Sequence, residues 1–316
     1  MTSPRTWPFH QGEVQTQERA GVRGMTERVG GFVRSTMPDQ HRDLFEQLPY
    51  LVIGALDDAG RPFASMAVGV PGFIESPSPG TLVVHATLAE DDPVRGGLRE
   101  GAPIGLLGIE FETRRRNRAN GTLAHVEPGM FAVDVEQSTG NCPQYIQARS
   151  IETAVRRPSE TQREGPRLSA RARAIVAGAD TTFIASASAE IRRDGVHGCD
   201  VSHRGGKPGF WRAQTVHGGT RLTMPDFAGN RFFMTLGNVA ENPRVGVAFV
   251  DFATGDWLSL TGRAEVQWEG SELRAFEGAE RLLHVDVEGG VILGGMIPFR
   301  WSAPEYARQL TRTGAW

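Results

Sequence analysis

The amino-acid sequence predicts a mainly β protein with flanking helices, built as two tandem halves of one design. Three observations carry this. Short apolar runs recur at hairpin spacing along most of the chain, with Gly, Pro, Asn and Asp between them; that is the pattern of a sandwich or barrel. The order of runs and turns starts again after a polar stretch near residue 160. And 316 residues is the length of two ordinary domains.

Residues 1–35 read as an N-terminal extension with little periodicity. The stretch 37–48 has Pro38 near its start and Leu44, Phe45 and Leu48 on one side, which predicts a short helix. Residues 50–55 form a compact apolar run closed by Asp57-Asp58-Ala59-Gly60-Arg61, a strand entering a turn. Strand-like runs at 63–70, 81–86, 104–109 and 131–135 complete a first domain over 36–155. Residues 156–168 gather Arg156, Arg157, Pro158, Glu160, Arg163, Glu164 and Pro166 with almost nothing apolar, the composition of an exposed linker. A second domain, 169–316, opens on a helix capped by Ser169 and ending at Gly178, then a strand at 181–187.

The restart has landmarks. Pro71-Gly72-Phe73 is matched by Pro208-Gly209-Phe210, Asp92-Pro93 by Asn242-Pro243, the run 104–109 by 245–250, and Asn120-Gly121 by Thr261-Gly262. Pro71 and Pro208 stand 137 residues apart and Gly121 and Gly262 stand 141 apart. A near-constant offset indicates a repeat, and two such halves packed face to face imitate a homodimer.

Composition narrows the function. Hydrophobic residues make up 39%, enough for real cores. The net charge of −3 gives no general affinity for nucleic acid or anionic membrane. Two cysteines, Cys142 and Cys199, exclude a disulfide scaffold and a four-cysteine metal site. The eight histidines show no metal-ligand spacing. There is no Gly-x-Ser-x-Gly elbow and no Gly-x-Gly-x-x-Gly joining a strand to a helix. Without an 18-residue apolar run or the apolar core of a signal peptide, the expectation is a cytoplasmic protein.

Four segments hold chemistry. In Asp200-Val201-Ser202-His203-Arg204-Gly205-Gly206, a hydroxyl, a planar cation and exposed backbone N–H groups are what a phosphate needs; the same residues also suit a polar hairpin end. Pro225-Asp226 leads to Asn230 and Arg231, placed on the next strand pair to add donors to the same anion. Arg114, Arg115, Arg116 and Arg118 form a dense run. Strand alternation puts Arg114, Arg116 and Arg118 on one face, as an anion site or as ion pairs between the halves. Finally, Cys142-Pro143 opens a helix-like stretch, with Cys142 either a structural thiol or one activated at a helix N-terminus.

With these segments in view, the chain resembles the FMN-binding split-barrel superfamily of pyridoxamine-phosphate oxidase, and within it a bacterial group of double-barrel proteins. The resemblance runs from about residue 9 to 301. It rests on Met37-Pro38 with Gln40-His41-Arg42, Gly108-Ile109-Glu110, residues 113–121, 140–147 and 179–181, Ser202 to Gly206, Pro225-Asp226, residues 235–238 and Asp251-Phe252. It implies two six-stranded split barrels with FMN at their interface. By position, the phosphate falls to Ser202 and Arg204, with Asn230 and Arg231 opposite. His203, Gly205, Pro225, Asp226, Arg114, Arg116 and Arg118 complete the expected cofactor site, and no residue stands out as catalytic. The Arg-x-Val-Leu-Leu-Lys strand and Ser-Arg-Lys triplet of the true oxidases are missing, so their vitamin substrate is not carried over. The resemblance implies an FMN-dependent oxidoreductase acting on a small molecule, with a separate reductase or free nicotinamide as donor. A non-catalytic binder of flavin or haem and a deazaflavin enzyme stand as alternatives. A homodimer is a further expected assembly; nucleic acid and membrane are not expected partners.

Overall fold

A computed structural model of the chain describes residues 8–140, 142–155 and 159–316. Asn141 and, in the expected linker, Arg156, Arg157 and Pro158 lie outside the described residues, as do residues 1–7. The strands of the first half are β1 (Val33–Arg34), β2 (Tyr50–Leu56), β3 (Pro62–Val68), β4 (Ile74–Ser78), β5 (Thr81–Val84), β6 (Pro103–Glu110), β7 (Arg115–Glu127) and β8 (Met130–Gly140). After β9 (Ile151–Ala154) come β10 (Glu160–Glu164), β11 (Thr181–Ala187), β12 (Cys199–Gly205), β13 (Arg212–Val216), β14 (Gly219–Phe227), β15 (Arg244–Asp251), β16 (Asp256–Gln267), β17 (Ala279–Gly294) and β18 (Phe299–Trp301). The helices are α1 (Gln11–Arg19), α2 (Arg23–Val29), α3 (Asp39–Gln47), α4 (Pro93–Gly97), α5 (Ala170–Gly178), α6 (Met234–Glu241) and α7 (Ser271–Ala275).

The first sheet runs β3-β2-β6-β7-β8-β5-β4, with β1 added to β8; the second runs β12-β11-β15-β16-β17-β14-β13, with β10 added to β17. Strand for strand the two orders are the same, as the mainly β, tandem two-barrel expectation requires. A small third sheet pairs β18 with β9. Among the described residues, no helix is long and apolar enough to cross a membrane.

The apolar strands are apolar throughout because both of their faces are buried, so they lose the alternation of a half-exposed strand. In β2, Leu51, Ile53 and Ala55 enter the core of the first half. Tyr50 and Val52 point the other way, into a core shared by both halves. In β11, Ile184 enters the core of the second half, while Phe183 and Ala185 enter the shared core. That shared core joins the halves reciprocally. β6 packs on β12 of the other half, and β15 packs on β3, the self-complementary contact of a two-fold.

Two glycines make the close approach feasible. A β-carbon on Gly105 would sit 2.7 Å from the α-carbon of Asp200, and one on Gly246 would sit 2.5 Å from that of Phe63. Either change to alanine overpacks the junction and is expected to cost about 1–3 kcal/mol, read as a lower urea midpoint at unchanged slope. A neutral result at both positions would mean the halves separate freely.

Several expectations change. From residue 8 on, the N-terminal extension forms α1, α2 and β1. Its buried residues are largely polar (His10, Glu13, Thr16 and Gln17), which is why no apolar period marks it. Side-chain hydrogen bonds stitch it across the molecule. His10 Nε2 meets Asn238 Oδ1 at 2.9 Å, Gln17 donates to the Phe232 carbonyl at 2.9 Å, and Gln137 of β8 donates to the Pro8 carbonyl at 3.0 Å. In the expected linker, residues 160–164 are not free chain; they pair with β17, Glu160 opposite Gly294. Glu164 there accepts from the Ser169 N–H at 2.8 Å. The landmarks Asp92-Pro93 and Asn242-Pro243 are not equivalent, since the first opens α4 and the second closes α6. The segment after Phe233 is helix α6 rather than a strand, and no helix follows Cys142, only turn residues.

Burial pushes the Glu13 carboxyl well above the usual range, against a hydrogen bond from His10 N and with Asp200 adding repulsion. The folded chain therefore keeps a proton that the unfolded chain releases above its ordinary carboxyl pKa. Stability falls as pH rises through that window, by about 1.4 kcal/mol per unit. Glu13→Gln should flatten that fall in urea titrations run upward from the ordinary carboxyl pKa. An unaltered slope would show that Glu13 is ionised in the fold.

Candidate anion-binding cleft between the halves

Strand β7 of the first half crosses β12 of the second, and a cleft opens along the crossing. From the first half it is lined by Leu107, Arg116 and Arg118. From the second it is lined by Ser202, His203 and Arg204 of β12, Asp226 of β14, residues 229–236 and Arg281 of β17. A smaller recess continues it along Arg116, His203 and Arg204 to Cys142, Gln144, Tyr145, Gly205 and Pro225. There the Tyr145 ring stacks on Phe227, centroids 5.2 Å apart. The alternation read from the sequence holds for Arg116 and Arg118. Arg114 breaks it: it precedes β7 at φ 58°, in the turn. Its guanidinium donates to the Ile146 carbonyl at 3.1 Å and pairs with Glu305 at 2.8 Å, so Arg114 leaves the expected site. Arg115 points away and reaches the Gln40 carbonyl.

The cleft gathers cations with few counter-charges. Arg118 pairs with buried Asp200 at 2.9 Å. Arg204 stands 3.8 Å from Asp226, whose carboxylate is held by Arg281 at 2.9 Å. Arg116 has no carboxylate at ion-pair distance among the described residues; its Nη1 contacts His203 Nδ1 at 2.9 Å. Burial, then the neighbouring Arg204 and Arg118, pulls the Arg116 guanidinium down to about 9. Burial and the fields of Arg116 and Arg204 also hold His203 well below its ordinary value, so the ring is neutral. A guanidinium can only donate. Nδ1 therefore accepts, and the ring proton sits on Nε2.

Four donors in this cleft are buried without a hydrogen-bond partner among the described residues: Nε of Arg116, Arg118 and Arg204, and Nε2 of His203. Buried polar atoms are rarely left so, and four in one place, three of them cationic, define a demand for an acceptor-rich anion. The hydroxyls of Ser202 and Thr235 meet at 2.8 Å on the same wall. The N-terminus of α6 carries no side-chain cap, and its first residues line the cleft, an arrangement that favours anions. The loop before it is strained, with Arg231 at φ 66° and Phe233 at φ 62°, left-handed values that cost non-glycine residues energy.

The predicted residues thus fall into groups. Ser202, His203, Arg204, Asp226, Asn230, Arg231, Arg116 and Arg118 line the cleft, and Gly205 and Pro225 line the recess. Arg231 lies at the rim and forks onto Glu280 at 2.6 and 2.8 Å, and Asn230 accepts from the Phe232 N–H at 3.1 Å. Asp226 orients cations. Of the other singled-out residues, Asp180 takes Arg149 at 2.6 Å, and that guanidinium lies 4.0 Å over the Phe252 ring, away from the cleft. Sequence reasoning missed Arg281 and the uncapped start of α6 as cleft walls. No motif surrounds Arg281. The pairing of β14 with β17 sets it opposite Asp226.

No family model matches the sequence, and no curated protein matches it. Solved structures do. HupZ of Group A Streptococcus aligns over 38% of this chain and 90% of its own, at 14% identity and TM-score 0.29. A putative pyridoxamine 5'-phosphate oxidase from Lactobacillus delbrueckii aligns over 41% and 98%, at 14% identity and TM-score 0.29. An FAD-binding protein from Mesorhizobium loti aligns over 42% and 97%, at 16% identity and TM-score 0.24. The chain is similar to these proteins, in each case over about two-fifths of its length.

Proposed function

We propose that the chain is a flavin-dependent oxidoreductase that holds FMN in the cleft between its halves. The observation that carries this is the set of four orphaned buried donors on Arg116, Arg118, Arg204 and His203. It is joined by the paired hydroxyls of Ser202 and Thr235 and the uncapped α6. Together they offer what a phosphate monoester requires: charge, forked donors and backbone N–H groups.

In this reading, Ser202, Thr235, Arg204 and Arg116 hold the phosphate, with Asp226 and Arg281 keeping Arg204 in place. The neutral His203 offers its Nε2–H, and Arg118 a cation, to the polar edge of the ring system, where they favour added negative charge. The stacked pair Tyr145 and Phe227 supplies an apolar wall. The flavin, when bound, supplies two-electron chemistry; the protein binds, orients and excludes water. The substrate is a small molecule, and electrons come from a nicotinamide or a separate reductase.

The test is the visible spectrum of the purified protein, followed by FMN titration of the apoprotein. Flavin bands and saturable FMN binding are expected. A Soret band, or no binding of FMN at all, would overturn the proposal.

A further inference from the structure

The two-fold relation between the halves implies two clefts, and the pairing registers show what stands at the second. Val52 pairs with Met66 on one side and Leu107 on the other. Phe183 pairs with His203 and Ala248 in the same way. Leu107 then pairs with Arg118, and Ala248 with Ser259. Met66 is therefore the counterpart of His203, and Ser259 that of Arg118. By the same registers, Ala67 stands for Arg204 and Trp257 for Arg116. Of these positions, only Ser65 is identical to its counterpart, Ser202.

The three arginines Arg116, Arg118 and Arg204 of the first cleft thus have neutral counterparts in the second. The donors there are used. Trp257, fully buried, donates from Nε1 to the Ala64 carbonyl at 3.0 Å, and Ser259 donates to the same oxygen at 2.7 Å. The indole stacks on Phe183 with centroids 5.6 Å apart inside the shared core, where Met66 also packs. The Ser65 hydroxyl is bonded to the Asp92 carboxylate.

We infer that only one of the two symmetry-related clefts binds an anion, and that the other has become a lock between the halves, with Trp257 as its bolt. The chain then takes one phosphate-bearing cofactor, not two. Naming that ligand as FMN rests on the proposed function; the asymmetry itself does not.

The experiment has two arms. Calorimetric titration of the apoprotein with FMN, and with inorganic phosphate, should give one site per chain. That site should vanish in the Arg116→Gln, Arg204→Gln double variant. Two sites, or binding that survives in the double variant, would overturn the inference. The second arm needs no ligand. Arg116→Gln removes a crowded cation and should leave the apoprotein Tm unchanged or raise it by a few degrees. Trp257→Phe strips a donor from the Ala64 carbonyl and should lower Tm by several degrees. A drop in Tm with Arg116→Gln, or none with Trp257→Phe, would show that the two places are not an open site and a lock. If phosphate binds once per chain and FMN does not, the cofactor proposal fails and the asymmetry stands; if neither binds, both fail.

Discussion

Arg204→Ala is expected to weaken FMN binding by about ten- to a hundredfold, while Arg204→Lys recovers part of the loss. A hydrogen bond to a charged group contributes roughly 1.5–3 kcal/mol, and Arg204 brings both a charge and a fork of donors to the wall shared with Ser202. Lysine keeps the charge and loses the fork. The buried Nε of Arg204 has no protein acceptor to fall back on among the described residues, so little of the lost contact is replaced from within. Quenching of flavin fluorescence on titration into apoprotein measures the constants. Equal affinity in wild type and alanine variant would remove Arg204 from the site and leave the phosphate to the α6 terminus and Arg116.

Asp200→Asn should destabilise the apoprotein by about 3–5 kcal/mol, the usual cost of breaking a buried ion pair from one side. Arg118 is 6% exposed and Asp200 3%, and they meet at 2.9 Å where two further arginines already stand. The variant keeps the shape of the side chain and its acceptor for the Ser186 hydroxyl, now at 2.8 Å, but leaves Arg118 charged and unpaired. Adding Arg118→Met should recover most of the stability, because replacing both partners of such a pair is often neutral. Urea unfolding of wild type and the two variants checks this. A loss under about 1 kcal/mol in the single variant is what an exposed pair would give, and would show that water reaches Arg118.

The two-half β architecture was legible because its signals are local. Apolar runs of strand length and turn residues between them need no knowledge of what packs where, and the repeat offset only requires counting. The offset also has a structural meaning now. It is 137 residues between β3 and β12, where Ser65 matches Ser202, and 141 between β7 and β16, where Gly121 matches Gly262. The loops between the strands differ in length, but the registers agree apart from local bulges such as the one between Leu123 and His125. The helices of the N-terminal extension left no sequence signal for a physical reason: they dock through polar side chains such as His10 and Gln17 rather than through an apolar stripe.

What the sequence by itself determined is the kind of chemistry: a β12 segment with hydroxyl, imidazole, guanidinium and glycine in a row, and an arginine run on a strand. Strand alternation alone separated Arg115 from Arg116 and Arg118. What only the tertiary structure decided is which of these groups meet. Arg116 and Arg118 come from one half and Ser202, His203 and Arg204 from the other, and they share a cleft only because β7 crosses β12. Arg114 is drawn off by Glu305, 191 residues away along the chain. Arg281 enters through a strand pairing that no local pattern announces. And the filling of the second cleft by Trp257 is visible only once the two registers are laid side by side. Residue type is a property of the local sequence. The charge balance and the unmet hydrogen bonds of a site are sums over neighbours that folding alone brings together.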